Sequence, residues 1–434
     1  MTKLWQKSSV TLHPVIEAYT VGDDPVLDMH LFPFDIAASM AHAKGLKKIG
    51  ILSSEELQKL LSALQHLLSD FRKGKITIKM TDEDCHTVIE NALTASLGPI
   101  GKKIHTGRSR NDQVLVALRL VMKERLKEIR TQSVLLCKSF LSFAKKYQKT
   151  PLPGYTHMQQ AMLASVGHFG CSVVESLLDD IALLDAIAVH IDANPLGSAA
   201  GYGVALPLDR IGTTKELGFG RTQVNSLYCQ NSRGKFESVF LEGLAQIMMT
   251  LGRFANDLLL FTMEEFDFFT VDGSLVTGSS IMPQKNNLDG LEILRGNVSV
   301  IMGYQQIVKD IARNLPSGYN RDLQLLKHPV IHGAKIVLSS IEVAHLYLKG
   351  ITPKRKSIES KITKEIFTAD VATALATEKS IPFREAYQLS LKHMDSYTVD
   401  FERNIASKVS LGAPGNLPWK EYEKRIAGQS SSSR

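Results

Sequence analysis

Ten consecutive residues, Gly278-Ser279-Ser280-Ile281-Met282-Pro283-Gln284-Lys285-Asn286-Asn287, combine the parts that anion chemistry needs. A glycine followed by two serines gives an adaptable backbone with several exposed N–H donors, and such donors hold anions. Lys285 adds a full positive charge and Asn287 adds amide donors. A helix is expected directly after the segment, and a helix N-terminus favours negative charge. This set suits a reaction in which a proton leaves a carbon beside a carboxylate. Fixed positive charge and N–H groups around that carboxylate lower the energy of the enediolate-like intermediate. A serine hydroxyl is a poor base and could act only as an alkoxide held by the same donors. The plainer alternative is a polar loop that caps the following helix.

Two further segments carry chemistry-capable side chains. In His105-Thr106-Gly107-Arg108-Ser109-Arg110-Asn111-Asp112-Gln113-Val114, two arginines and an asparagine lie beside a turn glycine at a helix start. They could clamp carboxylates, or be solvated arginines at a capped helix entry. In Gly154-Tyr155-Thr156-His157-Met158-Gln159, a histidine placed at a helix start could move a proton near neutral pH, although a lone histidine is more often structural.

Other chemistries are excluded by what is missing. There is no GxxxxGK[ST] loop and no HExxH. Leu206 stands where a dinucleotide fingerprint beginning at Gly201 would need its third glycine, and Ser198 lacks a GxSxG context. Cys85, Cys137, Cys171 and Cys229 are widely spaced, which argues against a zinc site or disulfide framework and for reduced thiols in a cytosolic protein. The 51 Lys and Arg exceed the 44 Asp and Glu modestly and are dispersed, so a nucleic-acid partner is not expected. No apolar run is long enough for a membrane span, and the N-terminus lacks the apolar core of a signal peptide.

The elements that must position these segments are mostly helical. Residues 51–70, entered through Ser53-Ser54-Glu55-Glu56, read as a helix. Five longer helices are expected over 112–149, 158–193, 235–266, 289–314 and 323–349, the last kinked at Pro329. Stretches such as Ile181-Ala182-Leu183-Leu184 and Leu258-Leu259-Leu260-Phe261 are apolar over more than one face, which favours helix packing between subunits over the alternative that the first and last domains cover those faces. Gly428, Gln429 and the serines after them are expected to be disordered.

The ten-residue string closely resembles the signature loop of the fumarase/aspartase superfamily. Its Pro-Gln-Lys form resembles the argininosuccinate lyase branch, because fumarases and aspartases usually carry glycine where Gln284 stands. The segment His105–Val114 matches that branch residue for residue, and Gly154–His157 matches its GYTH segment. Asp82-Glu83-Asp84-Cys85-His86-Thr87 resembles DEDxHT, and Tyr319-Asn320-Arg321-Asp322-Leu323-Gln324 resembles YNKDxQ. Lys3-Leu4-Trp5 and Pro382-Phe383-Arg384-Glu385-Ala386 extend the likeness over nearly the whole chain.

The resemblance implies an all-α fold in three parts: a small N-terminal domain, residues 1–107; a central five-helix domain, 108–360; and a small helical C-terminal domain, 361–434. It implies a homotetramer with a twenty-helix core, each active site being built by three subunits. The implied activity is reversible anti β-elimination of argininosuccinate to arginine and fumarate, without metal or organic cofactor. Ser279 would be the base. Lys285, Asn287 and loop N–H groups would hold the dianionic carboxylate. His157, oriented by Glu292 of another subunit, would assist proton transfer to the leaving nitrogen. Thr156, Asp84, His86, Arg110, Asn111, Tyr319, Gln324 and Lys327 would contact the substrate. Three departures stand out. Asn286 and Leu288 replace the usual lysine and proline after the loop, Tyr387-Gln388 replaces a common His-His pair, and Asp24 falls where a substrate-binding serine often sits. Another fumarate-releasing lyase of the superfamily, or a non-catalytic structural homologue, is compatible with the same fold.

Overall fold

The computed structural model describes residues 12–394 and 397–431, so Lys3-Leu4-Trp5 lies outside the described residues. The chain is mostly helical, as expected. It opens with α1 (Pro14–Val21), α2 (Asp24–Lys48) and α3 (Ser54–Arg72). A reciprocal cap starts α3: Glu56 N donates to Ser53 Oγ at 3.1 Å, and Ser53 N donates to Glu56 Oε2 at 2.9 Å. Asp84 caps α4 (Cys85–Leu97) by accepting from Thr87 N at 2.8 Å, and the short α5 (Pro99–Lys102) follows.

The first long helix, α6 (Arg110–Lys146), has 37 residues and is about 55 Å long at 1.5 Å per residue. After it come β1 (Pro151–Thr156), β2 (Gln159–Ser165) and α7 (Val166–Ile191). The helix expected over 158–193 therefore begins only at Val166. Residues 159–165 pair antiparallel with β1, Thr156 opposite Gln159, leaving His157 and Met158 as a two-residue turn. In β2, Leu163 and Ser165 are buried with Ala164 between them less so, a strand alternation that the apolar count in this stretch masked. The segment between α7 and the next long helix holds the two-residue parallel pair β3 (Ala193–Asn194) and β4 (Arg221–Thr222), with α8 (Arg210–Glu216) and α9 (Ser226–Asn231).

The helix expected over 235–266 is α10 (Lys235–Phe261). It stops before Glu264 and Glu265, whose charges oppose the negative C-terminal end of a helix, and the chain turns through Asp267 at φ 52°. Next come β5 (Phe269–Val271), β6 (Thr277–Gly278), β7 (Asn286–Asn287), α11 (Asp289–Arg313) and α12 (Lys327–Gly350). A 3-10 turn occupies Arg321–Leu326. Pro329 is the third residue of α12, where its missing N–H would have had no acceptor within the helix, so the expected interior kink has no cause. The chain ends with β8 (Ile351–Pro353), α13 (Arg355–Lys361), α14 (Thr368–Glu378), α15 (Phe383–His393), α16 (Phe401–Ser407) and α17 (Trp419–Ser431).

Two compact units are present. Unit one comprises the chain up to Glu128 with Leu184–Leu244 and Ile301–Lys335; unit two comprises Ile129–Leu183, Ala245–Val300 and Ile336 onward. In unit one, Ala38, Val116, Leu196 and Phe219 form a buried cluster, and Phe32 stacks on Phe71 with centroids 4.7 Å apart. In unit two, Leu163 joins Ile366, Phe367, Val371, Leu375 and Ile405 in another cluster, and Phe140 meets Phe254 edge-on at 5.1 Å. All four cysteines are free and buried. No helix among the described residues is long and apolar enough to cross a membrane.

The expectation of disorder from Gly428 is overturned as far as Ser431, because α17 includes these residues. Arg130 explains the ordering: its Nη1 and Nη2 donate to Gln429 O at 2.9 Å and Gln429 Oε1 at 3.0 Å. A cation on the last turn also complements the helix dipole. Upstream, Arg425 pairs with Glu175 at 3.0 Å and Asp179 at 3.1 Å. Arg130→Ala should therefore speed amide exchange over Ala427–Ser431 by about tenfold, read by hydrogen-exchange mass spectrometry. Unchanged protection there would show that Arg130 does not hold the end of α17.

Candidate active site

In unit one the turn at Gly107, φ 74°, delivers the two arginines of the 105–114 segment to different places. Arg108 turns inward. It is buried, with Nη1 donating to Ser39 Oγ at 2.9 Å and Nη2 to Asp35 Oδ1 at 3.4 Å. Arg110 reaches a cavity instead and pairs with Asp84 at 2.7 Å and Glu83 at 3.2 Å. Of the expected two-arginine clamp, only Arg110 lines a cavity. Asp112 fixes the start of α6: its Oδ1 accepts from Ser109 N, and its Oδ2 from Gly197 N and Ala199 N, each at 3.0 Å.

The cavity has a volume of about 110 Å³. It gathers seven residues expected to contact substrate: Asp84, His86, Arg110, Asn111, Tyr319, Gln324 and Lys327. Their settings differ. Gln324 Nε2 donates to Thr20 O at 3.0 Å and Val21 O at 3.2 Å, tying the 3-10 turn to the end of α1. Lys327 is buried, and its ammonium lies 2.7 Å from both Asp24 and Asp28. Burial works against the Lys327 charge, but Asp28 and Asp24 raise its pKa above the ordinary value.

His86 supports the cavity from behind. Its Nδ1 lies 2.7 Å from Asp35 Oδ2, and both groups are buried. Burial alone would raise Asp35, yet His86 and then Arg108 hold it below its ordinary pKa. Burial likewise opposes the imidazolium, yet Asp35 raises His86 above 6.5. Asp84 follows the same logic: burial raises it, and His86 and Arg110 bring it below normal.

Asp28, Cys85 and His86 approach one another within 4.8 Å, as three metal ligands would. Asp28 is already committed, however. Its Oδ1 binds Lys327 at 2.7 Å and its Oδ2 accepts from Cys85 N at 3.1 Å. The adjacent ammonium repels a cation, so the trio is a poor metal site.

Unit two carries the other candidates, on two turns. Ser279 to Lys285 form a tongue between β6 and β7, which pair antiparallel. Thr277 Oγ1 donates to Asp289 Oδ2 at 2.6 Å and pins the tongue's base to the first turn of α11. Within the tongue, Ser279 Oγ accepts from Ile281 N at 3.3 Å and Met282 N at 3.1 Å. The hydroxyl oxygen is thus held by two backbone donors, as an alkoxide would require. Lys285 is exposed and Asn287 half-buried.

Thr156 and His157 are at the exposed tip of the β1–β2 hairpin, not at a helix start. His157 has φ 53° and Met158 φ 61°. Such a turn suits glycine or asparagine, so histidine and methionine sit there at a conformational cost. Glu292 is exposed in the first turn of α11, and no ion pair joins it to His157 within the chain.

A family profile described as "Lyase" matches residues 14–303. Argininosuccinate lyase of Xanthomonas campestris pv. campestris is 42% identical over 416 residues, covering 95% of this chain and 96% of that protein. Argininosuccinate lyase of Sorangium cellulosum is 41% identical over 425 residues, covering 98% of each. That of Thermotoga neapolitana is 43% identical, covering 89% of this chain and 97% of its own. The chain belongs to the argininosuccinate lyase family.

Solved structures related by fold include EDDS lyase in complex with formate, with a TM-score of 0.81 at 21% identity over 98% of this chain and 92% of that one. Class II fumarase from Schistosoma mansoni gives 0.73 at 16% identity, over 95% and 94%. The mostly helical fold is shared with these two structures.

Sequence reasoning missed several residues of the cavity in this family member: Asp28, Glu83, Arg233 and Arg321. Asp28 had one available signal, its spacing of four from Asp24 on a helix that begins there. Arg233 had little, since a lone arginine before a helix is common. It is 3% exposed, and its Nε and Nη1 have no hydrogen-bond partner among the described residues. Burial pulls its pKa below the ordinary value.

The buried pair gives a pH prediction. His86 is raised above its unfolded value of 6.5, so its stabilisation is complete below that pH and fades as pH rises through the folded value. Asp35 is depressed, so its contribution fades instead as pH falls through its own folded value. The urea midpoint of the unsubstituted protein should exceed that of His86→Asn by a margin that shrinks on going from neutral to alkaline pH. A margin independent of pH would remove the imidazolium from the network.

Proposed function

We propose that the protein cleaves argininosuccinate to arginine and fumarate by anti β-elimination, reversibly, within arginine biosynthesis. The observation that carries the mechanism is the Ser279 hydroxyl, whose oxygen already receives two backbone N–H groups. These donors lower the cost of an alkoxide. In this reading the alkoxide takes the proton from the carbon beside the carboxylate that stays with fumarate. Lys285, Asn287 and the loop N–H groups hold the resulting dianionic carboxylate. The electron pair then forms the fumarate double bond as the C–N bond breaks, and the guanidinium nitrogen leaves with arginine. His157, backed by Glu292, assists as the acid, a contribution of about 10²–10⁴-fold for such catalysis. The scheme needs neither metal nor organic cofactor. Thr156 binds substrate, as do Asp84, His86, Arg110, Asn111, Tyr319, Gln324 and Lys327.

The subunit is organised in this reading as residues 1–107, 108–360 and 361–434. The working form is a cytoplasmic homotetramer with a twenty-helix core, each active site drawing on three subunits. Helix α11 supports assembly. Ile293, Val300 and Ile307 recur every seven residues and are 67%, 39% and 47% exposed. Between them stand Gly296 and Gly303, where a Cβ would meet nothing within 4 Å. Apolar side chains alternating with glycines at a and d spacing make a seam that a second helix can approach closely. Exposure of Thr156, His157 and Glu292 in one chain fits completion of the site by another.

Ser279→Ala should reduce kcat by about 10³-fold or more, with fumarate followed by its ultraviolet absorbance and the assembly checked by sedimentation. Turnover near that of the unsubstituted protein would reject Ser279 as the base. Val300→Glu should place charge in the α11 seam, shift the protein to smaller species in sedimentation velocity and abolish activity. An intact, active tetramer would remove the seam from the interface.

A further inference from the structure

One helix turn in the unit-one cavity departs from the pattern the sequence resembles, and the departure changes the cavity's charge. Asp24 stands in the first turn of α2, with Asp28 one turn further on. Both face Lys327, each at 2.7 Å, and all three line the cavity. One ammonium between two carboxylates leaves a net negative group; with serine at position 24 the same group would be neutral. Burial pushes the Asp24 carboxyl up to about 6 against the pull of Lys327, so it is mostly ionised at neutral pH.

The rest of the lining shows what that charge faces. Asp24, Asp28, Glu83 and Asp84 are balanced by Arg110, Arg233, Arg321 and Lys327, and the imidazolium of His86 is balanced by Asp35 behind the wall. A wall with no net charge gives no general preference for a dianion. It suits a ligand with both signs of charge close together. Arg233 supplies the cationic counterpart to the Asp24–Asp28 side: it lines the same cavity, is 3% exposed, and has no hydrogen-bond partner for Nε and Nη1 among the described residues. A buried guanidinium in that state is matched to an incoming carboxylate.

We propose that Asp24 is a specificity residue that receives the α-ammonium group of the substrate's amino-acid end, and so selects a zwitterionic leaving group over a purely anionic one. This rests on the reading above in that the cavity is taken as the place where the arginine portion of argininosuccinate binds.

Three guanidino ligands separate the charges. Arginine has both the amino and the carboxylate group, agmatine lacks the carboxylate, and 5-guanidinopentanoate lacks the amine. Each would be titrated calorimetrically into the whole assembled protein, unsubstituted and as Asp24→Asn. Loss of a buried charge partner predicts about tenfold or greater weakening of arginine and agmatine, with 5-guanidinopentanoate changed less than about twofold. Asp24→Glu, which keeps the charge, should retain agmatine binding better than Asp24→Asn. If Asp24→Asn does not assemble, Asp24→Ser carries the same comparison with a smaller neutral residue. Equal weakening of all three ligands would reduce Asp24 to a structural partner of Lys327, and unchanged agmatine binding would remove it from amine recognition. Turnover of argininosuccinate by the unsubstituted protein is measured alongside. Asp24-dependent amine binding without turnover sinks the elimination reading but not the receptor, and turnover with Asp24-independent binding does the reverse.

Discussion

A hydroxyl can serve as a base only where its oxygen is stabilised as an anion before the proton arrives. In the function proposed above that oxygen is Ser279 Oγ, which accepts from Ile281 N and Met282 N, both backbone groups. Backbone donors suit the task because they carry no proton that titrates near neutral pH and are held by the turn itself. The demand then passes outward. The turn must be closed at its base, which β6–β7 pairing and the Thr277–Asp289 bond accomplish. Its tip must stay accessible to substrate, and Ser280 to Lys285 are exposed.

The cavity in unit one solves a different electrostatic problem. Isolated buried charges are costly, while charges with good partners are tolerated. Asp35 sits between His86 and Arg108, Asp84 pairs with Arg110, and Lys327 bridges Asp24 and Asp28. Each ion is therefore compensated by another from a distant stretch of chain, and these pairs fix α2, α4, the start of α6 and the start of α12 in one arrangement. Among the described residues, Arg233 Nε and Nη1 and His86 Nε2 have no hydrogen-bond partner, so the pairing of the cavity wall is incomplete at these two side chains.

How much of this was readable in the sequence depended on how local the physics is. The tongue, the Gly107 turn and the Ser53 cap are each contiguous strings whose neighbours in sequence are also their neighbours in space. Helices 110–146 and 289–313 were equally legible, because caps and apolar spacing are local. The residues that escaped depend on partners hundreds of positions away: Asp28 on Lys327, Arg321 on Glu83, Gln429 on Arg130. The hairpin at 151–165 escaped for a related reason. Its apolar residues satisfy a helical count, and only pairing with β1 and packing of Leu163 against Ile366 and Phe367 select the strand.

Two of the non-glycine residues with positive φ belong to the proposed chemistry. His157 at φ 53° heads a hairpin tip, and Glu83 at φ 71° directly precedes Asp84 at the cavity. Non-glycine residues in this region cost on the order of 1 kcal/mol or more each, so a stable fold gains nothing from placing them there. At the tip, the left-handed turn leaves Thr156 and His157 exposed at the end of the hairpin. At the cavity, it brings the carboxylates of Glu83 and Asp84 together onto the single guanidinium of Arg110. In both places the strain orients a side chain toward something other than its own core.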